Sequence, residues 1–398
     1  MNTSSKLAMA AICATACGSA WSGVGFDTAD GWKYSTDGWI ILQAHRQNGD
    51  TRETTGFRIT SGSTPSLIAF NVSAPALDGI ALSSRVGLYI NPQSGEGNFR
   101  NAGNVGNTGA KALDPREIWG KLSAGWGEII FGKAYSIYQG EAVLADASVL
   151  AGGLTGYDNV NTTNALAASF NAGYMYANFN AGVRYNSPQS EALTISLGVY
   201  DPSQIRNVFV GSGADQTKAP RVEAGLYFKP KLGAASVKLY TDFVYQSAQH
   251  CRTAAGAPCA DDRVTTRGAS AGATLDIGAF NLHLSGFSAS GLGSVLMQDL
   301  DALDANGAER RSRGYFGQIV YRPVAGLSLR YSHGRTRIDD TAVTLGHTAR
   351  TNIVGAYYGV NKYLTVYGEL ADSRFSNNPA FNVPTDTRYA TAGARFMW

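Results

Sequence analysis

The chain has 398 residues, of which 44% are hydrophobic and only 16% charged, with 47 Gly, 20 Tyr, 4 Cys, 5 His and a net charge of +3. Near charge balance gives no support to a nucleic-acid-binding role, and the low charge with many Gly and Tyr argues against a typical cytosolic enzyme. No run reaches the roughly 18 apolar residues of a transmembrane helix; a strand-built membrane protein is still allowed, because only alternate residues of a barrel face lipid.

Residues 1–20 read as a cleaved signal peptide. Lys6 supplies a positive start, Leu7 to Ala16 an apolar and small-residue run, and Gly18-Ser19-Ala20 the small residues before the cut. Cys17 lacks the leucine three residues ahead that a lipoprotein site carries. Cleavage after Ala20 removes Cys13 and Cys17 and leaves one domain, residues 21–398, with Cys251 and Cys259. Export places these two in an oxidising compartment, so they are expected to pair as a disulfide.

Beyond the signal, helical periodicity is scarce and period-two alternation is everywhere. The first strand lies within Trp32 to Arg46 and the second centres on Ser66 to Ala74, where Ile68, Phe70 and Val72 oppose Ala69, Asn71 and Ser73. Pro75 to Gly79 turns into a third strand, Ile80 to Asn91, with Arg85 and Tyr89 on its polar face. After a long Gly/Asn-rich loop come Arg116 to Ser123 and Glu128 to Tyr135.

Ser136 to about Tyr174 fits neither strand nor solvated loop, and is expected to fold back against something. A strand ending in Val183-Arg184-Tyr185-Asn186-Ser187-Pro188 follows it. Further alternating segments are Ala192 to Tyr200, Arg221 to Lys229, Ala235 to Gln246, Thr265 to Asp276 and Phe280 to Ser290. After a charged loop through Asp299, Asp301, Asp304, Glu309 and Arg310 come Gly314 to Arg322, Leu327 to Ile338, Thr351 to Val360, Leu364 to Asp372 and Thr387 to Trp398. Short and long connections take turns, as strands running up and down a membrane barrel require. The reading is an all-β transmembrane antiparallel barrel of 16 strands, with 14 or 18 left open. The last strand is apolar along Ala390, Ala392, Ala394, Phe396 and Trp398 and polar along Tyr389, Thr391 and Arg395.

Sought chemistry is missing from the pattern. The five His show no metal spacing, Cys251 and Cys259 lack zinc-site partners, and no nucleophile elbow stands out. Asp299, Asp301 and Asp304 lack the Gly and Glu of a calcium loop and read as a solvated outer loop. No cofactor is implied.

Three stretches carry a family likeness. Arg116 to Lys133, with Trp126-Gly127-Glu128-Ile129-Ile130-Phe131-Gly132-Lys133, resembles the hairpin entering the third loop of Gram-negative general porins. Gly182 to Pro188 resembles the strand end after that loop, and Ala394 to Trp398 the terminal strand, with Trp where the family normally has Phe. The resemblance implies an outer-membrane location, a homotrimer, contact with outer-membrane lipid and lipopolysaccharide, and recognition of Phe396 and Trp398 by the barrel-assembly machinery. It also implies a third loop folded into the lumen, whose acids face wall bases across a constriction.

By match to that loop, Glu141, Asp146 and Asp158 are the acidic candidates; inward parity selects Arg85, Lys133 and Arg184 as wall bases. The implied function is passive diffusion of small hydrophilic solutes, not enzymatic. Inward acids and bases nearly cancel, which leaves anion or cation preference open. The Glu141 to Leu150 continuation is similar to porins for small organic acids, aromatic or dicarboxylic, which stands as an alternative. A barrel enzyme or adhesin is another, with His333, of outward parity, as its one nameable residue.

Overall fold

Strands that alternate an apolar and a polar face, with no helices to cover the apolar one, have a stable solution in lipid: a closed barrel turned inside out. The computed structural model describes residues 23–49, 56–61, 64–90, 113–149, 169, 172–188, 192–207, 213–378 and 383–398. The signal-peptide reading of residues 1–20 and the candidate Asp158 lie outside them.

One sheet contains every strand. In chain order they are β1 (Val24–Asp27), β2 (Lys33–Gly49), β3 (Gly56–Thr60), β4 (Ser66–Ser73), β5 (Ala81–Ile90), β6 (Leu113–Ala124) and β7 (Gly127–Tyr135). A short helix, α1 (Gly140–Ala145), precedes β8 (Phe179–Asn186), β9 (Leu193–Tyr200), β10 (Ile205–Arg206), β11 (Gly213–Gln216), β12 (Arg221–Phe228), β13 (Lys231–Leu232) and β14 (Ala235–Arg252). The remainder are β15 (Val264–Ile277), β16 (Phe280–Ser290), β17 (Arg311–Tyr321), β18 (Leu327–Ile338), β19 (His347–Gly359), β20 (Leu364–Asn378) and β21 (Val383–Met397). The long strands, with β3 and β4 sharing one stave, form a closed antiparallel barrel of 16 staves.

Closure joins the first stave to the last. β2 pairs with β21 from Trp39 opposite Met397 to Gly49 opposite Thr387. The other edge of β2 pairs with β4 along Lys33 to Trp39 and with β3 along Gln43 to Gln47. Beyond the end of β21 the free edge of β2 is covered by β1, which runs back along Lys33 to Thr36. Among the described residues the barrel wall itself therefore closes on itself without an open seam.

The alternation places side chains as a membrane requires. Leu42, Phe70, Val183, Leu226, Phe243 and Leu370 are exposed on the outside, whereas Gln43, Glu223, Asp242 and Glu369 are buried on the inside. A bulge between β5 and β6 breaks the register at Gly87 and Leu88 and lets Arg116 reach the inner face, its guanidinium 4.9 Å from the Tyr89 ring centre. Aromatic pairs mark the short-turn end: Trp126 with Tyr185, Phe280 with Tyr321, and Phe396 with Trp398. Such girdles suit the membrane interface.

Five short elements among the described residues, β1, β3, α1, the β10–β11 ladder and β13, do not show in the periodicity. Each is too short for a period to show.

Candidate functional site

After β7 the chain turns to the inner wall. The N–H groups of Ile137 and Tyr138 donate to Glu223 Oε2 at 2.8 and 2.9 Å, and that of Gln139 donates to Asp242 Oδ1 at 3.3 Å. Gln318 grips the end of α1: its Nε2 donates to the Ala145 carbonyl at 2.8 Å and its Oε1 accepts from the Ala147 N–H at 2.6 Å. Arg330 donates to the Ala147 carbonyl. Thr64, between β3 and β4, donates to the Val149 carbonyl at 2.6 Å. On the return limb Gly173 N–H donates to Thr336 Oγ1 at 2.9 Å. Irregular backbone inside a barrel must have its polar groups satisfied, and here inward side chains of β12, β14, β17 and β18 satisfy them.

Of the acidic candidates, Glu141 on α1 forms an ion pair with Lys238 of β14. Asp146 does something else. Its carboxylate accepts from Ser148 N–H and Oγ at 2.8 and 2.6 Å, Ser169 N–H at 3.0 Å and Tyr174 OH at 2.6 Å. It is buried and knots the loop to itself. Burial, reinforced by that carboxylate, pushes the Tyr174 hydroxyl well above its ordinary range.

The basic candidates also divide. Arg85 faces inward, but is buried and held by Asp37 at 2.8 Å, Glu117 at 2.9 Å and Asn71 at 2.8 Å. It ties four staves together. Arg184 faces inward at the start of the loop and donates to the Tyr135 carbonyl at 3.2 Å. Lys133 does not face the lumen. It lies opposite Ile118 and Ala181, on the outer face shared with Phe131 and Val183. Phe131, two residues earlier, claims the outside, and alternation carries Lys133 with it.

Inward residues that parity did not single out carry much of the wet surface. Among them are three incompletely buried ion pairs, Asp114 with Arg116 at 2.7 Å, Lys121 with Glu128 at 3.3 Å, and Glu141 with Lys238, whose side chain is 30% exposed. Arg330 stacks 3.5 Å from the Tyr357 ring centre. Arg395 is buried beside Tyr357 and Tyr367, and its Nε has no hydrogen-bond partner among the described residues.

The connection 291–310 is not a solvated loop. Leu292 and Met297 pack with Tyr138, Met175 and Phe287, and Val295 packs with Ala142, Val143, Tyr174 and Phe316. The Val295 carbonyl accepts from Tyr176 N–H at 2.8 Å. Asp299, Asp301 and Asp304 are all buried. Asp299 accepts from the N–H groups of Val295, Leu296 and Asp301 at 2.8 to 3.1 Å, and Asp301 pairs with Arg310 at 2.7 Å. Burial, with Asp301 beside it, pushes the Asp299 carboxyl up to about 7. The acids mask the apolar character of the stretch, because Leu292, Val295 and Met297, which precede them, are the residues needing cover. Cys251 and Cys259 are bonded, and a side chain at Gly307 would meet the Cys251 sulfur at 2.6 Å, so the disulfide packs directly on this connection. No group of three or more metal-ligating side chains occurs among the described residues.

The family model described as Gram-negative porin matches residues 5–378. The chain belongs to the Gram-negative porin family. The sequence matches no curated relative. This porin shares its fold with the outer membrane channel DcaP of Acinetobacter baumannii, at 12% identity and TM-score 0.68 over 94% of this chain and 100% of that one. An anion-selective porin from Comamonas acidovorans matches at 12% identity and TM-score 0.64 over 92% and 100%. OmpF of Salmonella typhi matches at 12% and 0.60 over 94% and 100%. The porin is therefore an outer-membrane barrel that works as a passive diffusion channel. As an enzyme candidate His333 has little to offer: its ring bonds Asn352 Oδ1 at 2.8 Å and Tyr315 OH at 3.4 Å, and Ser332 is buried on the other face.

Proposed function

We propose that this porin passes small hydrophilic solutes, filtered where the segment after β7 and the connection 291–310 lie together inside the barrel, and that it has no enzymatic activity. The observation that carries the reading is the set of partly wet ion pairs, Asp114 with Arg116, Lys121 with Glu128 and Glu141 with Lys238. A lumen filled for strength alone would leave no such charges in water. A size series tests it: proteoliposomes swell with small neutral sugars and progressively less with larger ones. Swelling independent of sugar size would contradict the filter.

A second reading is preference for small organic acids. Arg330 and Arg395, with Tyr357 and Tyr367 stacked at 5.3 Å between ring centres, offer a carboxylate two guanidinia and an aromatic face. Saturable block of current by benzoate, relieved in Arg395→Gln, would support it; linear current at every benzoate concentration would remove it.

The porin acts as a homotrimer in this proposal. Small outward residues, Ala44, Ala356, Gly368, Ala390 and Ala392, form a shallow apolar groove suited to close approach of a second copy. Phe396 and Trp398 serve as the insertion signal.

A further inference from the structure

Beneath the start of the inward loop, three staves bring buried donors to one place. Register sets Tyr200 of β9 between Gly182 of β8 and Arg221 of β12, and sets Gly198 of β9 between Arg184 and Glu223. The two glycines make room for the tyrosine. A Cβ at Gly182 would meet Tyr200 Cδ1 at 2.6 Å, and one at Gly198 would meet the Tyr200 hydroxyl at 2.8 Å. The ring therefore lies across both glycines, and its hydroxyl ends in the row between Arg184 and Glu223. The Arg221 guanidinium stands 5.4 Å from the ring centre. The loop base forms the roof: the Tyr135 carbonyl accepts from Arg184 Nη1 at 3.2 Å, Ser136 N–H donates to the Asn178 carbonyl at 2.9 Å, and a Cβ at Gly225 would meet Ile137 Cγ2 at 2.9 Å.

The donors here outnumber the acceptors. Arg221 is fully buried and Tyr200 is 3% exposed. Arg184 Nε, Arg221 Nη1 and the Tyr200 hydroxyl are all sealed from solvent, and none has a hydrogen-bond partner among the described residues. Glu223 is already committed. Its Oε1 accepts from Arg221 Nε at 2.9 Å, and its Oε2 accepts from the N–H groups of Ile137 and Tyr138 at 2.8 and 2.9 Å. Arg184 has no carboxylate partner among the described residues, so two guanidinia face one carboxylate and one positive charge is left over. A buried charge without a counter-charge is costly, and so is a buried donor without an acceptor. A water molecule would bring two more hydrogens to a place already rich in donors. An anion brings acceptor capacity alone.

We infer that a single halide ion, chloride under physiological conditions, binds among Arg184 Nε, Arg221 Nη1 and the Tyr200 hydroxyl and pins the base of the inward loop to the wall. The donors come from three different staves, which suits a sphere. A planar carboxylate is gripped best by two parallel N–H groups of one guanidinium, and here each guanidinium offers the site one sealed donor. The leftover charge is a single one, which matches a halide and not a doubly charged oxyanion. Arg184 already holds the Tyr135 carbonyl, and Arg221 Nη2 reaches Ser136 Oγ at 3.5 Å. Fixing both guanidinia on one ion therefore fixes the two residues at which the loop leaves β7. The ion lies behind the loop and is not a solute in transit, so the inference stands whichever solutes the lumen passes.

The test uses the full-length porin purified in a nonionic detergent. Crystals grown in sodium bromide should show an anomalous peak in contact with all three donor atoms. Hydrogen exchange at Ile137 and Tyr138, whose N–H groups bond Glu223, reads the loop base in solution. Replacing sodium gluconate by sodium chloride at equal ionic strength should raise their protection at least about fourfold, the gain when chloride is present at about three times its Kd and binds only the closed form. Tyr200→Phe keeps the ring over the glycines and removes one donor, and Arg184→Gln removes one charge; each should lose most of the chloride response. Arg322→Gln, beside the β17–β18 turn, should respond as wild type does. Density at the site without anomalous signal overturns the proposal by assigning the place to water. A chloride response absent from wild type, or kept in full by both Tyr200→Phe and Arg184→Gln, also overturns it.

Discussion

Trp398 and Gly38 lock the seam of the barrel. Gly38 N–H donates to the Trp398 carbonyl at 3.4 Å, and Trp398 N–H donates back to the Gly38 carbonyl at 3.2 Å. The indole covers Gly38 so closely that a Cβ there would meet its Cζ2 at 2.8 Å, and would also run into the Leu67 carbonyl. First stave, second stave and chain end thus meet at one residue without a side chain. Gly38→Ala is expected to lower stability by about 1–3 kcal/mol, the usual cost of overpacking. Urea unfolding followed by tryptophan emission measures it. Trp398→Ala should not rescue the variant, because the backbone carbonyl remains.

Arg85 is the second joint. It binds Asp37 and Glu117 with all three side chains nearly dry. Arg85→Met removes one charge and strands two carboxylates, so a loss of about 3–5 kcal/mol is expected. Adding Asp37→Asn to Arg85→Met should recover part of that loss, since one orphaned charge goes with it. A double-mutant cycle of unfolding free energies reads the coupling.

The connection 291–310 should respond to pH through Asp299. Its carboxyl is raised in the folded protein from an ordinary 3.8 to about 7. The folded state therefore holds a proton that the unfolded state has lost, and stability falls as pH rises through that window. Hydrogen exchange at Leu296 to Leu303, corrected for intrinsic rates, should show protection falling from about pH 4 to about pH 7 and flat above. Asp299→Asn should give lower protection that does not vary over this range.

Reducing the disulfide should loosen the same connection. Cys251 and Cys259 close a small ring, worth about 2–3 kcal/mol by loop entropy, and their sulfurs seat Gly307. Cys251→Ser/Cys259→Ser should raise hydrogen exchange at Ala305 to Ala308 while leaving β18 to β20 unchanged. Equal exchange in both proteins would show that the bridge does not hold the connection.

Much of the barrel was legible because lipid enforces one simple rule. Val222, Leu226 and Phe228 alternate with Glu223 and Tyr227, and no soluble packing is needed to interpret them. The same rule fails where backbone leaves the wall. Lys133 was misplaced because its neighbour Phe131, not its charge, sets the face. Asp146 has the sequence place of a field-setting acid, but its partners Ser148, Ser169 and Tyr174 come from the loop itself, a folding that alternation does not encode. Asp299 and Asp301 looked solvated for the same reason: their donors are backbone N–H groups of a compact turn, and its apolar residues Leu292, Val295 and Met297 have no period. Lys238 and Arg330 are not legible as partners of Glu141 and the Ala147 carbonyl, because those contacts depend on which loop carboxylate or carbonyl comes to them.

Current through a planar bilayer in asymmetric salt tests the central claim most directly, that ions diffuse past the Glu141–Lys238 pair. Wild type should show stepwise openings. Glu141→Gln should move the reversal potential toward anions and Lys238→Gln toward cations, each by about two- to fivefold in permeability ratio, the equivalent of 0.4–1 kcal/mol for a partly exposed pair. The double variant should return close to wild type. An absence of stepwise current, or reversal potentials unmoved by either substitution, would contradict the account.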